Sequence, residues 1–165
     1  MTAGNFEPSM LLAILPELAL IIVGALILFF DLLWAKRPDR CRSLGWFTAS
    51  SMVVVIILSL LFSRPAAEPQ LILGGMLRHD WLAFIFRILF LTGAALTSLF
   101  VMEIESLGCR GEFYLLLVVS TFGMSLMAAS ADLIMLFLAI ETTSIPLYVM
   151  AGFFTRDNKS TEAGF

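Results

Sequence analysis

Five stretches of the chain consist almost entirely of apolar residues, and each is long enough to cross a lipid bilayer as a helix. They cover about residues 10–33, 44–62, 81–102, 113–130 and 133–154. A helix rises about 1.5 Å per residue, so roughly 20 apolar residues span a hydrocarbon layer about 30 Å thick. Only a tight turn at 130–132 separates the last two stretches. The pattern predicts an all-α membrane protein with about five transmembrane helices, the fourth and fifth forming a close antiparallel hairpin.

The longest polar connection, residues 63–80, contains two prolines and a Gly-Gly pair. These residue types interrupt helices and mark turns, so we expect an irregular or hairpin-like cap on the outer side of the membrane. From these stretches and this loop we divide the chain into two parts. A three-helix membrane segment with this outer loop covers 1–110, and the fourth and fifth helices with the remaining residues cover 111–165.

The distribution of Lys and Arg predicts that the N-terminus lies outside and the C-terminus inside, because short loops rich in these residues stay on the cytoplasmic side. In this orientation seven of the ten cations lie in inner segments and two in outer segments. The inner ones are Lys36, Arg37, Arg40, Arg42, Arg110, Arg156 and Lys159, and the outer ones are Arg64 and Arg78. The tenth, Arg87, lies within the third helix.

Composition supports the membrane class and excludes others. Hydrophobic residues make up 60% of the 165 residues, and charged residues only 14%. A net charge of -3 provides no basic surface for nucleic acid. Cys41 and Cys109 have no metal-ligand spacing, and we interpret both as incidental. Because no metal site, nucleophile with its base, phosphate loop or quinone fingerprint is recognisable, we expect no redox site, cofactor or metal in this chain.

The fifth apolar stretch, LIMLFLAIETTSIPLYVMAGFF, contains a single charged residue, Glu141. If the stretch is helical, this carboxylate lies about 12 Å from the Asp132 end, inside the hydrocarbon layer. An acid at this depth costs about 2.5 kcal/mol or more and is tolerated mainly beside a partner or water. Glu141 is therefore either a proton-carrying group or a packing residue that hydrogen-bonds to a neighbouring helix.

Three neighbours favour the proton-carrying role of Glu141. Ser144 and Tyr148 follow at i+3 and i+7, so the three polar side chains share one helical face. Pro146 cannot donate a hydrogen bond to the carbonyl of Thr142, which bends or loosens the helix and frees an acceptor near the acid. The candidate site consists of Glu141, Ser144, Pro146 and Tyr148.

Two further charges lie inside apolar stretches, and we interpret both as interfacial. Glu17 follows Pro16, a pair that suits the first turn of a helix, where a carboxylate meets the positive end of the helix dipole. The alternative, a position just inside the membrane, stays open because residues 10–15 before it are apolar. Arg87 lies two turns from Trp81, so its long side chain is expected to extend toward the membrane surface.

The remaining charges of interest lie near helix ends. Asp31 precedes the basic loop, and we expect it to pair with Lys36 or Arg37. His79 and Asp80 are adjacent in the outer loop, and we expect a surface pair rather than a ligand site.

The last third of the chain carries a specific set of motifs. These are Asp132, the pattern ExxSxPLY over Glu141–Tyr148, AGF over Ala151–Phe153 and STEA over Ser160–Ala163. Together they closely resemble the start of the antiporter-like core in subunit N of NADH-quinone oxidoreductase, respiratory complex I. The upstream helices look like those that precede this core in the family. We therefore expect the chain to correspond to the N-terminal portion of such a subunit.

The resemblance implies a proton-translocating role in which Glu141 is the charge partner of a lysine on a later helix. Both lysines of this chain, Lys36 and Lys159, lie in loops, so the partner is expected outside it. NADH, FMN, Fe-S clusters and quinone are expected in other subunits. The implied partners are other membrane subunits of complex I, the lipid bilayer and a second chain with further helices, and the implied location is a bacterial inner membrane.

Two alternatives remain open at this point. A multi-subunit cation/proton antiporter shares the core motif, and a truncated structural or assembly remnant would carry the same helices without transport.

Overall fold

A computed structural model describes residues 8–34, 40–65 and 70–153. Five long helices dominate these ranges, and each is long and apolar enough to span a membrane, which confirms the all-α multi-pass class. They are α1 (Pro8–Leu33), α2 (Arg40–Phe62), α3 (Trp81–Val101), α5 (Gly111–Ala129) and α6 (Leu133–Ala151), with a short α4 at Glu105–Gly108. The predicted spans agree with these bounds within a few residues. Lys36, Arg37, Arg156, Lys159 and the STEA motif lie outside the described residues.

Between α2 and α3 the chain forms a two-stranded antiparallel hairpin, made of β1 (Gln70–Ile72) and β2 (Leu77–His79). A short 3₁₀ turn over Leu73–Gly75 joins the strands. Gly74 and Gly75 adopt φ values of +69° and +93°, a region that residues with a Cβ atom rarely adopt. Of the two forms predicted for this cap, the hairpin-like one is correct.

The hairpin covers one end of the helical bundle. Ile72 and Leu77 pack in a small apolar cluster with Ala13 of α1, Ala83 of α3 and Ala129 of α5. The amide of Ala131, just after α5, also donates to the carbonyl of Met76 at 2.9 Å. We call this side of the molecule the hairpin end, and the side that carries α4 and the start of α2 the opposite end.

The main core surrounds α5, which packs against α1, α3 and α6. Its largest fully buried side chain is Tyr114, and Leu117 and Val118 extend the same cluster toward the middle of the helix. By contrast, α6 packs mainly on α5. The predicted helical hairpin is therefore confirmed, while the division of the chain at residue 110 stays a prediction.

The α5–α6 hairpin depends on a close approach of the two backbones. A Cβ atom at Gly123 would lie 2.5 Å from Oγ1 of Thr143 and 2.8 Å from its backbone nitrogen. The Thr143 hydroxyl is itself buried and donates to the carbonyl of Ala139 at 2.9 Å. Glycine at position 123 therefore determines how near α6 lies to α5, and with it the position of Glu141.

Candidate functional site

Glu141 lies near the middle of α6, eight residues after Leu133 and ten before Ala151, which corresponds to about 12 and 15 Å of helix. Its side chain is exposed. Within ranges 8–34, 40–65 and 70–153, no cation and no hydrogen-bond donor contacts its carboxylate. A charge at this depth is tolerated mainly beside a partner or water.

The surface around Glu141 is otherwise apolar and uncovered. Phe137 is 60% exposed, Ile145 57% and Tyr148 62%, and these positions align with Glu141 along one helical stripe. We call this stripe of Phe137, Glu141, Ile145 and Tyr148 the outer face of α6. It points away from α5, and the acid at its centre distinguishes it from a surface that only contacts lipid tails.

The other predicted site residues are divided between two sides of α6. Tyr148 lies on the outer face with Glu141, and Ser144 lies at its edge, partly exposed. Pro146 is buried on the side that faces α5, as are Ala139 and Thr143. The helix continues through Pro146 as one element. The geometry thus brings Glu141, Ser144 and Tyr148 together, while the functional roles of all four residues stay predictions.

A second set of polar side chains lies inside the bundle. Arg87 of α3 donates from Nη2 to Oε1 of Glu17 on α1 at 2.5 Å. Its Nε donates to Oγ of Ser125 on α5 at 3.2 Å, and its Nη1 to Oγ of Ser63, next to the end of α2, at 3.2 Å. The Ser125 hydroxyl donates to the same Glu17 oxygen at 3.1 Å. We call Glu17, Arg87, Ser125 and Ser63 the charged cluster.

Both predictions of an interfacial position for these charges are wrong. Glu17 is 4% exposed and Arg87 is 3% exposed. Arg87 lies six residues into α3 and Ser125 four residues from the end of α5, so the cluster lies about 6 to 9 Å below the hairpin end. The sequence did contain a signal: one acid and one base inside separate apolar spans can each supply the partner that the other needs.

His79 and Asp80 do not form the predicted surface pair. His79 is only 8% exposed. Burial, together with the positive charge of nearby Arg87, lowers its pKa, so the neutral imidazole is favoured. Asp80 instead bonds to Arg78 at 2.8 Å and caps α3 by accepting from the amide of Ala83 at 2.8 Å.

At the opposite end, two contacts join α1, α2 and the start of α5. Asp31 pairs with Arg40 at 2.6 Å and accepts from the amide of Gly111 at 3.2 Å. A disulfide links Cys41 to Cys109, which are 68 positions apart. The interpretation of these cysteines as incidental is wrong, because the fold brings the start of α2 beside the segment between α4 and α5.

The polar groups inside the described membrane-spanning helices that could take part in chemistry are carboxylates, hydroxyls and the guanidinium of Arg87. Over the described ranges, no group of three or more His, Cys, Asp or Glu is placed to hold a metal ion. Carboxylates, hydroxyls and a neutral imidazole can accept and donate protons, particularly where water bridges them.

Five helices that are long and apolar enough to span a membrane define the described part of the chain as a multi-pass membrane protein. Residues 130–165 match the family described as NADH:quinone oxidoreductase/Mrp antiporter, TM. NADH-quinone oxidoreductase subunit N 1 of Roseiflexus castenholzii is 36% identical, over 97% of this chain and 35% of the relative. Subunit N 2 of Herpetosiphon aurantiacus is 33% identical, with the same two coverages of 97% and 35%.

Subunit N of an Anaeromyxobacter species is 35% identical over 89% of this chain and 28% of that relative. The chain therefore spans about a third of the length of the curated relatives that it matches. These matches confirm the resemblance predicted from the sequence: the chain is similar to subunit N of bacterial NADH-quinone oxidoreductases over about a third of the length of that subunit.

Proposed function

We propose that the chain contributes to proton translocation in the membrane part of an NADH-quinone oxidoreductase. The observation that carries this proposal is Glu141, an acid at mid-membrane depth on an uncovered face, without a partner among the described residues. An acid in this position is costly for the fold alone, so its presence favours a role in which it meets a charge or water.

In this role Glu141 is the acidic half of a charge pair. A cation that approaches a carboxylate stabilises its charged form, and withdrawal of the cation favours the protonated form. Movement of the partner cation would therefore make Glu141 release or bind a proton. We propose a lysine as this partner, supplied by a segment that packs on the outer face of α6.

Ser144 and Tyr148 support the same function because their hydroxyl groups can pass a proton to or from Glu141 through ordered water. Pro146 cannot donate to the carbonyl of Thr142, so we propose that it loosens α6 near Glu141 from the side that faces α5. Ser144 and Tyr148 extend the proposed site along the helix without adding a charge.

The proposed partners follow from the role. Other membrane subunits of the complex cover the outer face of α6, and the bilayer surrounds the remaining apolar surface. Electron transfer from NADH through FMN and Fe-S clusters to quinone takes place in other subunits. The relatives are bacterial proteins, so we place this chain in a bacterial inner membrane.

The substitution Glu141→Gln tests this function in the assembled complex. Glutamine has nearly the same size but cannot carry the proton, so we expect assembly to persist and proton transfer to slow by about 100-fold or more. Proton pumping per quinone reduced, measured in sealed vesicles, reports the loss. Glu103→Gln is the matched control, because Glu103 is exposed outside the membrane spans. Full pumping by an assembled Glu141→Gln complex would leave only a structural or assembly role.

A second candidate function is a subunit of a cation/proton antiporter. It is favoured by the description of the matching family, which names Mrp antiporters beside the quinone oxidoreductases. In this case a sodium gradient alone would move protons through the assembly without any quinone being reduced. Measurement of internal pH in vesicles after a sodium jump separates the two functions.

A further inference from the structure

One atom of the charged cluster, Oε2 of Glu17, has no hydrogen bond. Oε1 of Glu17 accepts two hydrogen bonds, from Nη2 of Arg87 at 2.5 Å and from Oγ of Ser125 at 3.1 Å. Oε2 of the same carboxylate is buried and has no hydrogen-bond partner. Proteins nearly always satisfy a buried acceptor with a donor group, an ordered water or a proton. Oε2 of Glu17 is therefore an acceptor that the protein leaves free within the charged cluster.

A purely structural ion pair would be arranged differently. Arginine and a carboxylate fix each other best as a two-pronged pair, with one hydrogen bond on each carboxylate oxygen. Here Arg87 and Ser125 both bond to Oε1, and Arg87 directs its other nitrogens to Ser125 and Ser63. Two apolar residues would also join α1 to α3 without removing two charges from water. The arrangement keeps one carboxylate oxygen available, which mechanical linkage does not require.

We propose that Oε2 of Glu17 is a second proton-binding site of this chain, which exchanges a proton with an internal water molecule while Arg87 and Ser125 hold Oε1. The ligand is a proton delivered as hydronium. In the loading step one O–H bond of hydronium breaks, a new O–H bond forms on Oε2, and neutral water remains. Both hydrogen bonds to Oε1 persist, because that oxygen still accepts as a carbonyl.

Because of Arg87, Glu17 passes its proton on rather than retaining it. Its guanidinium does not lose its proton, so loading Glu17 changes the cluster from neutral to positively charged. A net charge in a poorly polarisable interior is unfavourable, and the proton is therefore passed on quickly. Among the described residues, α5 and the end of α2 face the pair only with the uncharged hydroxyls of Ser125 and Ser63.

Access to the site comes from the hairpin end. The cluster lies about 6 to 9 Å below the ends of the helices, and His79 at the end of β2 is close enough for the charge of Arg87 to act on its imidazole. A neutral imidazole can accept a proton on one nitrogen and release one from the other. Asp80 also acts on His79 and favours its protonated form, in opposition to Arg87.

Covalent labelling tests this site without reference to pumping. Membranes that contain the assembled protein are treated with a lipid-soluble carbodiimide, which reacts with protonated carboxyl groups, and the labelled peptides are identified by mass spectrometry. We expect an adduct on Glu17 whose yield rises severalfold as the pH is lowered. Thr97→Ala is the matched control, since Thr97 is exposed on α3, donates to the carbonyl of Gly93 and lies outside the charged cluster, and it should label like the parent protein.

An introduced acid shows that the reagent reaches the membrane interior. Leu96 is 51% exposed in the second half of α3, five residues before Val101, so Leu96→Glu places a carboxyl group toward the lipid. Labelling of Leu96→Glu without any adduct on Glu17, from acid to alkaline pH, would overturn the proposal, because the carboxylate would then be locked in its ion pair.

The link between this site and transport rests on the proposed function and is tested separately. Glu17→Gln keeps an oxygen for Arg87 but loses the acidic group, so proton pumping should fall by about 100-fold while assembly persists. If Glu141→Gln stops pumping and Glu17→Gln does not, the second site fails and the proposed function stands. If Glu17 is labelled while Glu141→Gln pumps fully, the proposed function fails and the second site stands. If Glu17→Gln does not assemble, the labelling of Glu17 in the parent protein decides whether Glu17 binds a proton.

Discussion

Glu17 and Arg87 lie 70 positions apart in the sequence, yet each supplies the charge that the other lacks in an apolar interior. Their burial is possible because the pair is neutral as a unit and two serines complete part of its hydrogen bonding. Glu141 is the contrasting case, since no described residue neutralises it. The chain therefore contains one internally compensated acid and one that depends on a group beyond the described residues.

Removing one charge of the Glu17–Arg87 pair should lower the free energy of unfolding more than removing both charges. Arg87→Met leaves the Glu17 carboxylate buried and unpaired, which we expect to lower the free energy of unfolding by about 3–5 kcal/mol. Adding Glu17→Gln to this variant removes the unpaired charge and should restore most of the loss. Denaturant unfolding in detergent micelles measures both changes, with exposed Arg64→Met as the control. Equal stability of the single and double variants would contradict the pairing.

At the scale of helices and strands, the apolar pattern was sufficient to place every span, because periodicity and length are properties of the local sequence. The hairpin cap was also foreseeable from Gly74 and Gly75, which supply the turn. The contacts between distant residues could not be foreseen, because they depend on which helix faces join across dozens of residues. These are the partners of Glu17, Arg87, Cys41 and Cys109. Sequence periodicity gives no direct measure of such long-range packing.

Gly123 provides a test of how closely α5 and α6 must approach. Gly123→Ala places a Cβ atom 2.5 Å from Oγ1 of Thr143, so the helices must separate. We expect a loss of about 1–3 kcal/mol in stability and a parallel loss of pumping, because α6 carries Glu141. Gly93→Ala is the matched control: a Cβ atom there meets nothing within 4 Å, and alanine in a helix is neutral or stabilising. Thermal unfolding of the solubilised protein compares the two, and equal midpoints would show that the approach is not tight.

Across the whole molecule, the two ends of the bundle are held in different ways. The hairpin end is covered by β1 and β2 above the charged cluster, whereas the opposite end is joined by the Asp31–Arg40 pair and the Cys41–Cys109 disulfide. The Lys and Arg distribution predicts that the opposite end faces the cytoplasm, where thiols are normally kept reduced. The redox state of this pair in the cell therefore tests the predicted orientation of the chain.

The Cys41–Cys109 disulfide is the oxidised state of this pair. We expect the two cysteines to be thiols in growing cells and to form the disulfide when the cells are oxidised, because they lie on the side predicted to be cytoplasmic. Rapid quenching with an alkylating reagent, followed by mass measurement of the chain, counts the free thiols before and after oxidant. Cys109→Ser serves as the control and should leave one thiol under both conditions. A disulfide already present in freshly quenched, unstressed cells would reverse the predicted orientation.

The distance in sequence between Glu17 and Arg87 also determines how the protein can be made. A ribosome adds about 5–20 residues per second, so the 70 positions between the two charges take roughly 4 to 14 s to synthesise. During this interval α1 has left the ribosome with an acid that no arginine neutralises. The helix must therefore remain near the insertion machinery, or tilt its carboxylate to the membrane surface, until α3 arrives. We therefore expect the third helix to complete the insertion of the first, by supplying Arg87 to Glu17.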